Sequence, residues 1–288
     1  MSPRATALAV SALVCNAFVW GVSWWPFREL QAMGLHPLWS TALIYFFCLA
    51  CISAWRPGAW RGFAQHPQLW WLAVAAGLTN VGFNWAVTVG DVVRVVLLFY
   101  LMPAWSVLLA WAVLGEKPTR ASLLRLLLAM AGVLIVLKEP GSPWPVPQGI
   151  ADWLALMGGL SFAATNVLLR KLEYTPSASR MMAMFGGGGV LAGGAALLGL
   201  AGGIVSAPLW TSAWVPVALG LSLAFLVSNM ALQYGAARLA ASTTALVMLT
   251  EILFASLSAA ALGAAEFSPR TLLGGSLIVL AALLAARK

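Results

Sequence analysis

Residues 94–138, RVVLLFYLMPAWSVLLAWAVLGEKPTRASLLRLLLAMAGVLIVLK, hold two long apolar runs joined by a short basic turn, Gly115-Glu116-Lys117-Pro118-Thr119-Arg120. The first run, Val92 to Leu114, exceeds the ~20 apolar residues a bilayer span needs. The second, Ser122 to Leu137, approaches that length, with Arg125 able to snorkel to the interface. Pro103 falls in the middle of the first run, where a missing N–H is expensive in lipid unless the bend lines something. About 149 residues further on, Thr243 to Ala286 follows the same plan. Glu251 stands near the proline position, and Gly263, Glu266, Pro269 and Arg270 make a second Gly…Glu…Pro…Arg turn. The chain reads as a doubled unit.

Composition places that unit in a membrane. Only 8% of the residues are charged and 62% are hydrophobic, where a soluble domain carries roughly 25% charge. The net charge of +8 is spread as single residues between apolar runs, so no basic stripe offers itself to nucleic acid. Cys48 and Cys51 form a CxxC, but inside an apolar run, where small packing residues are expected rather than a redox pair that needs an exposed helix start. The first apolar run continues through Trp24 and Trp25 without an A-x-A site, and reads as a first span rather than a removable leader.

Ten apolar runs follow one another with short loops, giving an all-α polytopic membrane protein. Counting Lys and Arg puts Arg28, Arg94, Lys138 and Arg270 on one side and the rest of the 16 basic residues on the other. By the positive-inside rule both termini are then cytoplasmic. Local matches support a repeat: Asn80, Asn84 and Trp85 stand opposite Asn229, Gln233 and Tyr234 at the same offset. Near the start the offset is smaller, and Trp20-Gly21-Val22-Ser23-Trp24 matches Phe162-Ala163-Ala164-Thr165-Asn166. We expect five spans in each half, residues 1–140 and 146–288. With an odd number the second half enters the membrane inverted, a transporter architecture with its substrate site near the midplane.

Polar side chains inside lipid are costly and need a reason. Asn80 and Asn84 share one helix face, and Asn229 and Asn166 add amides from the other half. Two readings stand: a ring of neutral donors and acceptors around a cavity, or interhelical hydrogen bonds worth on average ~0.6 kcal/mol each. Trp20, Phe83, Trp85, Phe99, Tyr100, Phe162 and Met248 lie at comparable depth and form either an apolar compartment or helix packing. Glu251 is the one acid near a span centre, read as a proton or ammonium site or as a satisfied structural acid. Asp91 and Arg94 suggest a local ion pair at the start of the fourth run. Pro103 and Gly187, in a glycine-rich seventh run, are candidate hinges, although close helix packing accounts for the glycines equally well. His36 and His66 have no metal-ligand companions. No catalytic set and no metal or cofactor site is expected, and the absence of mid-depth Lys or Arg disfavours a strongly anionic substrate.

The Trp20-Gly21 pair, the Pro103…Leu114-Gly115-Glu116 run and its echo at Glu251…Leu262-Gly263…Glu266 resemble the drug/metabolite transporter superfamily, EamA type, over essentially the whole chain. Ile252 departs from the family pattern, which often has proline after the glutamate, and one residue is added before Glu266. The Trp-rich composition and Tyr100-Leu101-Met102-Pro103 look most similar to the aromatic amino acid exporters of the YddG type. That resemblance implies export of aromatic or large apolar amino acids, and of methyl viologen-like cations, from a bacterial inner membrane. We therefore expect ten transmembrane helices in two inverted five-helix repeats, working as a monomer by alternating access on amino acids within the lipid bilayer. A sugar-nucleotide or other metabolite antiporter, and a membrane enzyme or assembly factor without transport, are the competing expectations.

Overall fold

The computed structural model describes residues 3–90, 92–138, 141, 147–209, 211–263 and 269–286. Helices account for nearly all of them, and no strand occurs among the described residues. Nine helical segments there are long and apolar enough to cross a membrane. A tenth helix of spanning length, α5 (Gln68–Val89), has 22 residues, about 33 Å at 1.5 Å per residue. Its middle carries Thr79, Asn80 and Asn84, so it is the span that brings most amide chemistry to mid-depth.

Three spans are not single helices. The first breaks at Ser23 between α1 (Pro3–Val22) and α2 (Trp24–Ala32), where the Ser23 hydroxyl donates to the Trp20 carbonyl at 2.7 Å. The fourth breaks at Tyr100-Leu101 between α6 (Val92–Phe99) and α7 (Met102–Leu109), with Pro103 in the first turn after the break. The ninth breaks at Leu249-Thr250 between α12 (Ala241–Met248) and α13 (Glu251–Ala261). Ile252 there occupies the same place in its helix as Pro103 does in α7. Proline supplies the first of these two bends; surrounding contacts must hold the second.

The remaining spans are α3 (Pro37–Trp55), α8 (Arg120–Leu137), α9 (Ile150–Lys171), α10 (Ser177–Ala201), α11 (Val215–Ala236) and α14 (Pro269–Ala286). One π-helical turn, Ala110–Leu114, ends the fourth span, and Gly115 at φ +70° turns the chain out. Thr119 and Ser122 cap each other's backbone at the start of α8, a reciprocal arrangement that satisfies the orphan donors of the new helix.

α9 packs on α5 and on both pieces of the fourth span; α1 packs on α11 and on both pieces of the ninth. α10 lies across α3 and α5, and α8 pairs with α14. Two of these contacts require glycine. Gly132 and Gly274 face each other where α8 meets α14, and a Cβ on either would come within 2.6 Å of the other's carbonyl oxygen. At Gly187 a Cβ would collide with the Ala73 carbonyl of α5. α10 runs unbroken through Gly187, so the glycine serves close approach at that contact.

Asp91, the expected local partner of Arg94, lies outside the described residues. Arg94 Nε bonds both carboxylate oxygens of Asp152 at 2.9 Å, across the two halves. Asp152 also accepts the Gln148 N–H at 2.7 Å. Glu266 of the second turn lies outside the described residues as well. Cys48 is buried with its Sγ 3.4 Å from the Ser222 carbonyl, and all three cysteines are free thiols.

Candidate functional site

The three helix breaks meet at mid-depth around one cavity of about 90 Å³. Trp20 enters from just before the first break, Tyr100 from the second, Met248 and Glu251 from either side of the third. The continuous helices α3, α5, α9, α10 and α11 supply most of the rest of the wall, with Asn16 of α1.

Amides and hydroxyls line one part of the wall. The Tyr45 hydroxyl on α3 donates to Asn80 Oδ1 at 3.0 Å, and Asn80 Nδ2 donates to the Ala76 carbonyl at 2.8 Å. Asn84 Nδ2 donates to Thr41 Oγ1 at 2.8 Å. On α11, Asn229 Oδ1 accepts from Gln233 Nε2 at 2.7 Å, while Asn229 Nδ2 lies 3.4 Å from Met184 Sδ. Asn16 on α1 holds the Ser228 hydroxyl at 2.6 Å and the Ser228 carbonyl at 2.9 Å, leaving its own Oδ1 without a partner among the described residues. These amides are oriented by neighbours, which is the condition for a site that binds with little reorganisation.

Aromatic rings form two groups on either side. In one, Phe99 meets Phe83, Tyr100 and Phe162 at centroid distances of 4.9, 5.7 and 6.1 Å. In the other, Trp20 stacks on Phe225 at 4.6 Å, and Tyr45 meets Phe185 edge-on at 5.1 Å. Glu251 faces the Tyr100 hydroxyl and is the one carboxyl on the cavity wall. No Lys or Arg lines it, and no group of three His, Cys, Asp or Glu comes together among the described residues. The chemistry on offer is hydrogen bonding, ring contact and a single acid.

The structure brings Trp20, Asn80, Phe83, Asn84, Phe99, Tyr100, Phe162, Asn229, Met248 and Glu251 to this cavity. It places two others elsewhere. Trp85 packs against the cluster of Leu38, Val81 and Ala195, where α5 meets α3 and α10, and does not line the cavity. Asn166 is completely buried beside the wall, with neither amide atom partnered among the described residues. Pro103 is buried in the first turn after the second break. Tyr45, Met184, Phe185 and Phe225 also line the cavity and carried no sequence signal, because aromatics and methionine in a uniformly apolar helix look alike whether they face a hollow or a neighbour.

A second feature lies at the end of the molecule that gathers the basic residues. Between α1, α8, α9, α12 and α14 a vestibule of about 500 Å³ is lined by Lys117, Arg125, Arg170 and Arg238, with Glu116. Arg170 donates to Glu173 at 2.7 Å and to the Ala237 carbonyl at 2.6 Å, and stands 4.0 Å from Glu116. It therefore ties α9 to the turn between α11 and α12. Arg125 reaches the Leu284 carbonyl at this end, while Arg270 bonds the Lys138 carbonyl at the other.

Comparison with known proteins fits this architecture. Residues 7–138 match the EamA-like transporter family. Protein RarD of Escherichia coli (strain K12) is 27% identical over 165 residues, 55% of this chain and 56% of that protein. Protein RarD of Streptomyces exfoliatus is 26% identical over 165 residues, 54% of this chain and 49% of that protein. The chain thus spans about half the length of the curated relatives it matches. A crystal structure described only as that of a protein superposes with a TM-score of 0.78 at 17% identity, over 99% of both chains. At that identity the likeness is one of fold.

Proposed function

We propose that this chain, with its match to the EamA-like transporter family, exports amino acids across a bacterial inner membrane and prefers aromatic or large apolar ones. The observation that carries the reading is the mid-depth cavity, with oriented amides between two groups of aromatic rings. An α-amino acid has two parts that suit such a wall. Its ammonium and carboxylate take the neutral donors and acceptors of Asn80, Asn84 and Asn229. Its side chain takes the rings of Phe83, Phe99, Phe162 and Trp20, which add stacking to apolar burial.

Alternating access follows from the breaks. The cavity of about 90 Å³ is narrower than the ~300–1,000 Å³ of ligand pockets, so an aromatic amino acid enters only when the wall moves. The short half-helices α6, α7, α12 and α13 are the segments whose ends are free to tilt. The reciprocal packing of α9 on the fourth span and α1 on the ninth supports two inverted halves, residues 1–140 and 146–288, with the basic end cytoplasmic. A zwitterion moves no net charge, so the membrane potential does not drive it unaided.

The decisive experiment is uptake of labelled L-tryptophan, and of a panel of other amino acids, into vesicles reconstituted with the purified protein. Uptake above empty vesicles, with Trp, Phe and Tyr ahead of Ala and Gly, is expected; no uptake of any amino acid overturns the reading. The basic vestibule favours one competitor, an antiporter of phosphorylated or nucleotide-linked metabolites. Counterflow from vesicles loaded with such anions, absent with amino acids, would decide for it.

A further inference from the structure

We propose that Ser106, Asn166 and Thr244 line the closed leg of the substrate path, between the central cavity and the basic vestibule. The inference rests on the transport reading and adds to it the route by which the cavity meets one face of the membrane.

All three residues are completely buried. The Ser106 hydroxyl, both amide atoms of Asn166 and the Thr244 hydroxyl have no hydrogen-bond partner among the described residues. They belong to three helices, α7, α9 and α12, that pack against one another. On each helix the residue stands between the two hollows. On α9, Thr165 lines the cavity and Arg170 the vestibule, with Asn166 between them. On α12 the order is Met248, Thr244, Thr243. On the fourth span it is Tyr100, Ser106, Val107.

Buried polar groups are nearly always paired, and an unpaired one calls for a reason. Three of them on converging helices, aligned from one hollow to the next, find that reason in a second conformation that gives them water or substrate. Small apolar residues close the passage here: Ala110 and Ala241, about one turn from Ser106 and Thr244 toward the vestibule, meet Val167 beside Asn166. The Arg170 bond to the Ala237 carbonyl holds the neighbouring turn in place. Separation of α12 from α7 and α9 would open this seam and hydrate all three groups together.

Accessibility tests it. Single cysteines are placed at positions 106, 166 and 244, with Cys15, Cys48 and Cys51 replaced by alanine. Ala163→Cys and Ala245→Cys, equally buried apolar residues that line neither hollow nor the closing cluster, serve as controls. A membrane-impermeant methanethiosulfonate is applied to vesicles of either orientation, with and without L-tryptophan. Reaction at the three test positions from the basic face, at least tenfold faster than at the controls, is expected. Uniformly slow reaction at all five, or reaction only from the opposite face, overturns the proposal.

Asn166→Leu asks the same question without a reagent. Removing an unpaired amide from a closed seam should raise the melting temperature in detergent by a few degrees and slow tryptophan uptake at least fivefold. A lowered melting temperature would mean that the amide is structural, and would sink the idea. Labelling without uptake of any amino acid leaves the path standing and removes the cargo; uptake without labelling removes the path alone.

Discussion

Two residues carry the sharpest consequences on their own. Glu251 is the one carboxyl on the cavity wall, facing Tyr100 at the start of α13. If it carries the coupling proton, Glu251→Gln should abolish tryptophan-driven proton flux in vesicles while leaving exchange between equal tryptophan pools within about tenfold of wild type. Flux that persists removes Glu251 from that role. His36 makes a different case, outside the spans. Its Nδ1 accepts the Leu38 N–H at 3.2 Å as the cap of α3, and partial burial lowers its pKa from the usual 6.5. A proton on Nδ1 would cancel the cap. The folded value lies below the unfolded one, so the cap's stability is whole above the unfolded value. It is lost as pH falls from there through the lowered folded value. Melting temperature should therefore drop between pH 7.5 and pH 5, and His36→Asn, which caps without titrating, should flatten that part of the profile. Residue by residue, the sequence was most readable where a side chain was out of place. Asn80, Asn84 and Asn229 announce themselves because an amide in an apolar run needs a partner or a cavity. Trp85 misled for a geometric reason. It follows Asn84 by one residue, which on a helix is about 100° of rotation and enough to turn it from the hollow toward Leu38 and Val81.

At the scale of elements, the spans were legible from length and hydropathy, but their interruptions only in part. Pro103 marks the break at Tyr100-Leu101 and Pro26, in the first turn of α2, follows the one at Ser23, whereas nothing comparable marks Leu249-Thr250. The two breaks in the fourth and ninth spans occupy the same position relative to the helix that follows, one beginning Met102-Pro103 and the other Glu251-Ile252. If neighbours hold the geometry in both, each should tolerate the other's residue. Pro103→Ala should keep the fold and reduce tryptophan uptake less than tenfold. Ile252→Pro, which forfeits the Ile252 N–H bond to the Leu249 carbonyl at 3.1 Å and part of the packing of a buried side chain, should lower stability by about 1–2 kcal/mol. A mid-helix control such as Leu223→Pro in α11 should lose about 3 kcal/mol or more. Thermal unfolding followed by tryptophan fluorescence would separate the two classes. Gly187 belongs to this scale as well: the sequence offered hinge and packing equally, and the unbroken course of α10 against Ala73 favours packing.

For the whole molecule, the ion pair between Arg94 and Asp152 joins the two halves at the end opposite the vestibule. Both side chains are largely buried, at 17% and 7% exposure. Removing Arg94 takes the counter-charge from the buried Asp152 carboxylate, a loss of about 3 kcal/mol for a buried pair. Arg94→Met should therefore destabilise more than the double variant Arg94→Met/Asp152→Leu, with thermal melting in one detergent as the measure. Equal losses would mean that the pair contributes little beyond its packing. No pattern in the chain could have paired these residues, since 58 positions separate them. The charge count did anticipate that Arg125, Arg170 and Arg238 would gather at one end and Lys138 with Arg270 at the other. It could not anticipate the cavity's size, which depends on how far the ring clusters interlock.

The bend at Leu249-Thr250 has a consequence for anyone tracing this architecture through other chains. A kink imposed by a pyrrolidine ring leaves a visible letter, while one imposed by crowding leaves none. Substitution can then erase the spelling of the fourth span's motif from the ninth and leave the hinge untouched. Surveys that look for proline or glycine at mid-depth will pass over such places. A better detector is the loss of backbone amide protection against exchange, measured along the span.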